Sequence, residues 1–216
     1  MKITGINTTP DLQRREQLKR IALEWFARKG YHNTKISDIV KSAGVSQGTF
    51  YWYFASKEKM TLELIQDGRE KLVATVAKGY RREAGTVTDM ELSTRRLLTE
   101  LFQFAESERH LMVLLLLKGQ GADPAIQTAI SQTWQTFGDA FKTNIGRASE
   151  LGMLPADPQG VSMRSLLLVS LIEGTMSKWL FGPEHDVDYR SEYSAEQMAY
   201  AVAKFEFYGL MGDPLE

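Results

Sequence analysis

The sequence contains no cysteine, which excludes disulfide frameworks, thiolate zinc sites and cysteine nucleophiles together and suits a reducing compartment. It also lacks a membrane-length apolar run: the longest, Leu111 to Leu117, is far short of the roughly 20 residues a spanning helix needs. Met1 to Pro10 has no apolar stretch of the secretory kind. A soluble, cytoplasmic protein with no membrane partner is expected. Histidine is scarce, with His32, His110 and His185 at no metal-type spacing, and Gly119-Gln120-Gly121 is too short for a phosphate loop. Nothing has the pattern of a nucleophile elbow or a paired catalytic site. No enzymatic activity, metal or cofactor is expected.

Net positive charge is missing too: the whole chain carries −1. That value hides a split, because Met1 to Lys57 holds six Lys and four Arg against two Asp and two Glu, a net of +6. A basic segment on an acidic body suits a head that neutralises nucleic-acid phosphates, and the plain alternative is chance clustering.

What the chain does have is helical periodicity almost throughout, with no sustained period-2 alternation and no repeat. The fold class is all-α with about nine helices. Leu18, Ile21, Ala22, Trp25 and Phe26 form one stripe of a first helix that Gly30 stops. Further helices are predicted over Ile36 to Ala43 with Thr34 as N-cap, Gln47 to Phe54 capped by Ser46, and Lys57 to Glu83 capped by Ser56. Five more follow, over Asp89 to Ala105, Arg109 to Lys118, Pro124 to Leu151, Pro158 to Phe181 and Ala195 to Leu210. Asp123-Pro124 and Asp157-Pro158 supply an N-cap followed by Pro at the first helical position, and Ser194 with Gln197 makes a capping box.

Two short helices joined at Gly44 and braced by a first helix have the geometry that lets one helix enter the major groove. Ile36, Ile39, Val40 and Ala43 pack the positioning helix, while Val45 and Phe50 anchor the second. Gln47, Gly48, Thr49, Tyr51, Trp52 and Tyr53 are left facing wholly or partly outward. Gln pairs bidentately with adenine, Thr meets a base edge or phosphate, and aromatics touch a thymine methyl or the backbone. Core packing is the competing account of such an aromatic run and holds for Phe50 and Phe54. Four consecutive aromatics cannot all face inward on a short helix. Ser56 and Lys57 at the next helix start form a natural phosphate site.

The pattern Ile21-Ala22, Phe26, Gly30-Tyr31, Thr34, Ile36, Ile39, Ala43-Gly44-Val45-Ser46, Gly48-Thr49-Phe50-Tyr51, Tyr53-Phe54 and Ser56-Lys57-Glu58 closely resembles the DNA-binding head of the tetracycline-repressor (TetR) family. Val40, where the family commonly has Ala, and Met60, where it commonly has Leu, are tolerable packing swaps. The resemblance implies a helix-turn-helix head over residues 1–56 and a helical effector-binding and dimerisation domain over 57–216. It implies a homodimer on a palindromic operator in double-stranded DNA, repression as the usual mode, and release by a small molecule. By position, Gln47, Thr49 and Tyr51 would be the main base-side contacts. Gly48 and the cap Ser46 would lie beside them, with Trp52, Tyr53 and Lys57 along the backbone and Ser37 near the DNA. Lys2, in the segment before the first helix, is a further candidate for a phosphate or minor-groove contact.

In the body, Leu166, Leu167, Ser170 and Gly174 form one helical stripe and Met198, Ala201, Val202, Phe205 and Gly209 another. Either the two close the chain's own core or they meet a symmetry mate, and the family resemblance points to the second. Phe102, Phe104, Met112, Trp134, Phe137, Phe141 and Trp179, with Glu173 as a polar handle, are candidates for the walls of a pocket for a lipophilic or aromatic effector. Core packing is the usual use of such residues. The helix from Lys57 joins the two regions and is the candidate lever between ligand and head. An enzyme and a helical interaction module without DNA binding are the rival classes, and the second leaves the basic head unexplained.

Overall fold

Local sequence chemistry sets most of the helix starts in a computed structural model of the chain, which describes residues 9–182 and 189–210. Nine α-helices are present among those residues: α1 Thr9–Lys29, α2 Ile36–Ala43, α3 Gln47–Tyr53, α4 Lys57–Ala77, α5 Val87–Ser107, α6 Arg109–Leu116, α7 Pro124–Glu150, α8 Pro158–Phe181 and α9 Ala195–Tyr208. A 3-10 turn, Lys118–Gly121, separates α6 from α7, and a second, Tyr189–Ser191, precedes α9. No strand occurs among the described residues.

The helices fall into two compact units. One holds the chain up to Gly68 together with His110–Gln132, and the other holds Arg69–Arg109 and the chain from Thr133 onward. The boundary expected after residue 56 therefore falls inside the first unit. Helices α4 and α7 each contribute residues to both.

In the first unit, Leu18, Ala22 and Phe26 of α1 meet Ile39 of α2, Phe50 of α3 and Met60 of α4, all 1% exposed or less. Burial of such side chains contributes roughly 1.5–3 kcal/mol each before chain entropy is counted. Arg15 pairs with Glu63, and the buried Lys19 reaches Asp67 at 2.6 Å, so two ion pairs tie α1 to α4. Gly44 adopts φ 66°, a left-handed turn favourable for glycine, and its N–H closes onto the Lys41 carbonyl. Gly68 has a different role. A Cβ there would lie 2.7 Å from a Leu111 methyl, so the missing side chain lets α4 and α6 approach closely.

In the second unit α5 packs most extensively on α9. Leu98, Leu101, Phe102, Phe137, Ile172, Met176 and Ala199 are fully buried there. The Trp179 indole stacks edge-on against Phe102 at 5.4 Å and donates to the Tyr193 carbonyl at 2.8 Å.

Several boundaries differ from the sequence-based ones, each for a physical reason. Helix α4 stops at Ala77 rather than Glu83. Asn144 donates to the Val76 carbonyl at 2.8 Å, and Arg147 donates to those of Arg81 and Arg82, which satisfies backbone acceptors that a longer helix would use internally. Helix α5 starts two residues early because Thr86 and Asp89 form a capping box. Thr34 is not the N-cap of α2. Lys35 occupies that position, and the Thr34 hydroxyl donates back to Gly30 O at 2.8 Å. Helix α9 ends at Tyr208, where Gly209 takes φ 67°. Helix α1 already includes Asp11.

Candidate functional site

Helix α3 is held by its cap and its fourth residue. The Ser46 hydroxyl accepts from Thr49 N–H at 3.1 Å and lies 3.0 Å from the Thr49 hydroxyl, while Phe50 is fully buried and stacks with Phe54. This anchoring turns the remaining side chains out. Tyr51 is 54% exposed and Trp52 65%, and Gln47 and Gly48 are exposed beside them. A Cβ on Gly48 would make only an ordinary contact with Ser46 Oγ, so internal packing does not require glycine there. Ser37 is exposed on α2, as is Lys41, and the α2 cap Lys35 is exposed too. Sequence reasoning did not single out those two lysines, although the net charge of the head was the signal for them.

Two members of the expected set face inward. The Tyr53 hydroxyl donates to Asp11 at 3.2 Å, which ties α3 to the start of α1, and burial with this bond pushes the phenol up from its ordinary value. The Lys57 ammonium donates to the carbonyls of Tyr31 at 2.7 Å and Thr34 at 2.8 Å and sits 4.1 Å over the Tyr31 ring. Burial pushes its pKa below the usual lysine value. Lys57 thus clamps the α1–α2 loop. Lys57→Met should lower stability by about 1–3 kcal/mol through two orphaned carbonyls, read as a drop in melting temperature. An unchanged melt with weakened DNA binding would instead assign Lys57 to phosphate. Lys2 and His185 lie outside the described residues.

The expected effector residues separate between the units: Met112 is buried in the first, and the other seven belong to the second. Phe102, Phe137, Phe141 and Trp179 are at most 3% exposed, and Trp134, Phe137 and Phe141 form an edge-to-face chain. These rings fill core. One open recess in the second unit lies elsewhere, with a volume of about 530 Å³, and is lined by Met90, Ile145, Leu167, Leu171 and Phe205, with Arg164 and Glu206 as charged groups. A smaller adjoining recess shares Met90, Ile145 and Glu206 and reaches Phe141, the one member of the expected set that lines either. Water reaches Glu206 through the opening, yet the surrounding protein removes much of its hydration and pushes the carboxyl up to about 7.

Glu173, half-buried on α8, is likewise pushed up to about 7 by burial. The folded chain holds this proton more tightly than the unfolded one. Its contribution to stability is therefore complete below the ordinary value of 4.5 and is lost as pH rises to about 7. Glu173→Gln should flatten that part of the melting-temperature profile. A profile of unchanged slope would show that the carboxyl is hydrated.

Of the dimerisation stripe, Leu166 and Leu167 on α8 are 62% and 63% exposed and Phe205 on α9 is 46% exposed, with Ala201 and Gly209 also exposed. Met198 is half-buried. Val202 departs from the expected stripe: at 3% exposure it is packed in the chain's own core on the buried side of α9 and cannot add area to an external face.

A helix-turn-helix whose second helix projects polar and aromatic side chains has the geometry of a DNA-binding head. Residues 20–64 match the model of "Bacterial regulatory proteins, tetR family". The helix-turn-helix transcriptional regulator YdgC of Bacillus subtilis is 36% identical over 113 residues, 51% of this chain and 54% of that protein. The transcriptional activator FasR of Mycolicibacterium smegmatis is 29% identical over 145 residues, 67% of this chain and 64% of that one. The chain thus spans about half of YdgC and under two thirds of FasR. The crystal structure of the regulator FadR from Bacillus subtilis in complex with stearoyl-CoA shares the fold at TM-score 0.72 and 17% identity, covering 90% of this chain and 98% of that one. Residues 20–64 are thus similar to the DNA-binding segment of the tetR family, and the rest of the chain shares the fold of solved regulators. No trio of His, Asp or Glu among the described residues is placed to hold a metal, and no helix among them is long and apolar enough to cross a membrane.

Proposed function

We propose that this protein is a repressor that binds a palindromic operator as a homodimer and leaves it when a small lipophilic effector binds. The observation that carries the reading is α3, whose buried Phe50 holds Gln47, Thr49, Tyr51 and Trp52 toward solvent. In this reading Gln47, Thr49 and Tyr51 meet base edges, with Gly48 allowing close backbone approach. Trp52, Ser37 and Ser46 follow the sugar-phosphate backbone. Tyr53 and Lys57 serve the interface by fixing the loop and helix that carry the others. A protein with this task works in the cytoplasm, where bacterial DNA is.

The dimer forms through the exposed faces of α8 and α9, and the two heads then meet two half-sites about one helical turn apart. The apolar recess at those helices is a better candidate for the effector than the buried aromatic set, because it has volume, and a second copy seated on Leu167 and Phe205 would roof it. A lipophilic ligand also fits the stearoyl-CoA held by FadR.

The test is selection of sites from random duplex DNA at moderate salt by protein freed of bound ligand. An enriched inverted repeat supports the reading, and no enrichment from a folded sample defeats it. Placing the selected site in a reporter promoter then settles the sign of regulation, which matters because FasR is an activator.

A further inference from the structure

We propose that Arg164 on α8 and Glu206 on α9 form reciprocal ion pairs between two copies of this chain, each guanidinium meeting the carboxylate of the other copy. The inference rests on the homodimer reading above. The face concerned is apolar at helical spacing. Met163, Leu166 and Leu167 of α8 are 57%, 62% and 63% exposed, and Phe205 of α9 is exposed beside Glu206. Singly exposed apolar residues need no explanation, but a stripe of this kind marks a surface that is covered.

No hydrogen bond or ion pair engages Arg164 or Glu206 among the described residues. Arg164 Nη1 is buried with no acceptor among the described residues. The nearest carboxylate along α8, Asp157, already accepts from the N–H groups of Gln159 at 3.1 Å and Gly160 at 2.9 Å. On α9, Lys204 is engaged with Glu91 at 3.2 Å, and Glu91 also accepts from the Tyr208 hydroxyl, so that cation is committed away from Glu206. The Arg81 guanidinium, at the edge of the smaller recess, donates to the Asp89 carbonyl. Arg164 and Glu206 line one recess, which puts them at the same level of adjacent helices.

A second copy seated on this face strips water from both groups, and leaving either unpaired would oppose association strongly. A two-fold contact turns the face onto itself. If Arg164 meets the partner's Glu206, then Glu206 meets the partner's Arg164, and one positive and one negative group per chain satisfy both copies. This self-complementarity favours a second copy over a different protein.

The experiment is a mixing test by sedimentation equilibrium with Arg164→Glu and Glu206→Arg chains. Each variant alone should self-associate at least about tenfold more weakly than wild type, because like charges face each other. Mixed, they should recover a dimer: at one contact the introduced carboxylate of the first chain faces the introduced guanidinium of the second, and at the other contact the native pair is intact. Variants that each melt normally but gain nothing on mixing overturn the proposal. If a reversed charge prevents folding, Arg164→Gln and Glu206→Gln replace it in a double-mutant cycle. Losses that add in the double variant overturn the pair, and a double variant no weaker than a single one supports it. A wild-type chain that stays monomeric at every concentration defeats the dimer reading itself. A dimeric wild type whose variants associate unchanged defeats only the ion pairs.

Discussion

Tyr51→Ala should leave a folded protein that loses its operator. The ring is 54% exposed, and its one described contact is an edge against the neighbouring Phe50 at 5.5 Å, so the cost to stability is no more than about 1 kcal/mol. A base-edge contact of this size contributes about 1–3 kcal/mol of binding, equivalent to roughly five- to 150-fold per half-site. A symmetric dimer loses it twice. Titration by fluorescence anisotropy on the selected operator, beside a thermal melt, separates the two effects. Operator affinity within about twofold of wild type would remove Tyr51 from the interface. Weaker binding to every duplex alike, with a smaller salt slope, would mark a phosphate contact instead.

The second large effect is expected at the opposite end of the function. Leu166→Glu or Leu167→Glu should leave the monomer's melting temperature nearly unchanged, because both side chains already face water at 62% and 63% exposure. In a dimer each substitution buries two unpaired carboxylates, which should weaken association by at least about a hundredfold. Sedimentation velocity reads the monomer directly. Operator affinity should fall with it, since a monomer binds one half-site without the effective concentration that its tethered mate provides. A dimer that persists in both variants would move the interface to another face.

The parts of this structure legible in the sequence are those decided within a few residues. Ser46, Asp157 and Ser194 cap the helices assigned to them because a hydroxyl or carboxylate reaches an N–H two or three positions on wherever the chain runs. The outward set on α3 was readable for the same reason: a helix of seven residues has room for one anchored aromatic face. What escaped depends on groups brought in from afar. The end of α4 is fixed by Asn144 and Arg147, from more than 60 residues on. Lys57 has the composition of a phosphate ligand, and only the folded loop shows its ammonium turned toward two carbonyls. Val202 and Phe205 lie on one stripe read from the sequence, yet the chain's own core takes the first and leaves the second in water, a division that periodicity alone does not specify. The aromatic residues of the second unit signalled burial, and only Phe141 among them lines either of the two adjoining recesses, because rings stacked edge to face leave little volume between them.

The first unit is assembled from two separate stretches of chain, and this bears on how the protein can be made. His32, just after α1, hydrogen-bonds Gly121 O at 2.7 Å across 89 residues, and Gly68 receives Leu111 at the α4–α6 crossing. During synthesis the apolar surface of residues 9–68 that this second stretch covers should therefore stay open until the start of α7 has been made. A fragment ending at Gly68 should accordingly be less helical and more prone to aggregate than the same residues in the full chain. A unit closed by its second stretch should complete its packing only after residues 110–132 are available to it.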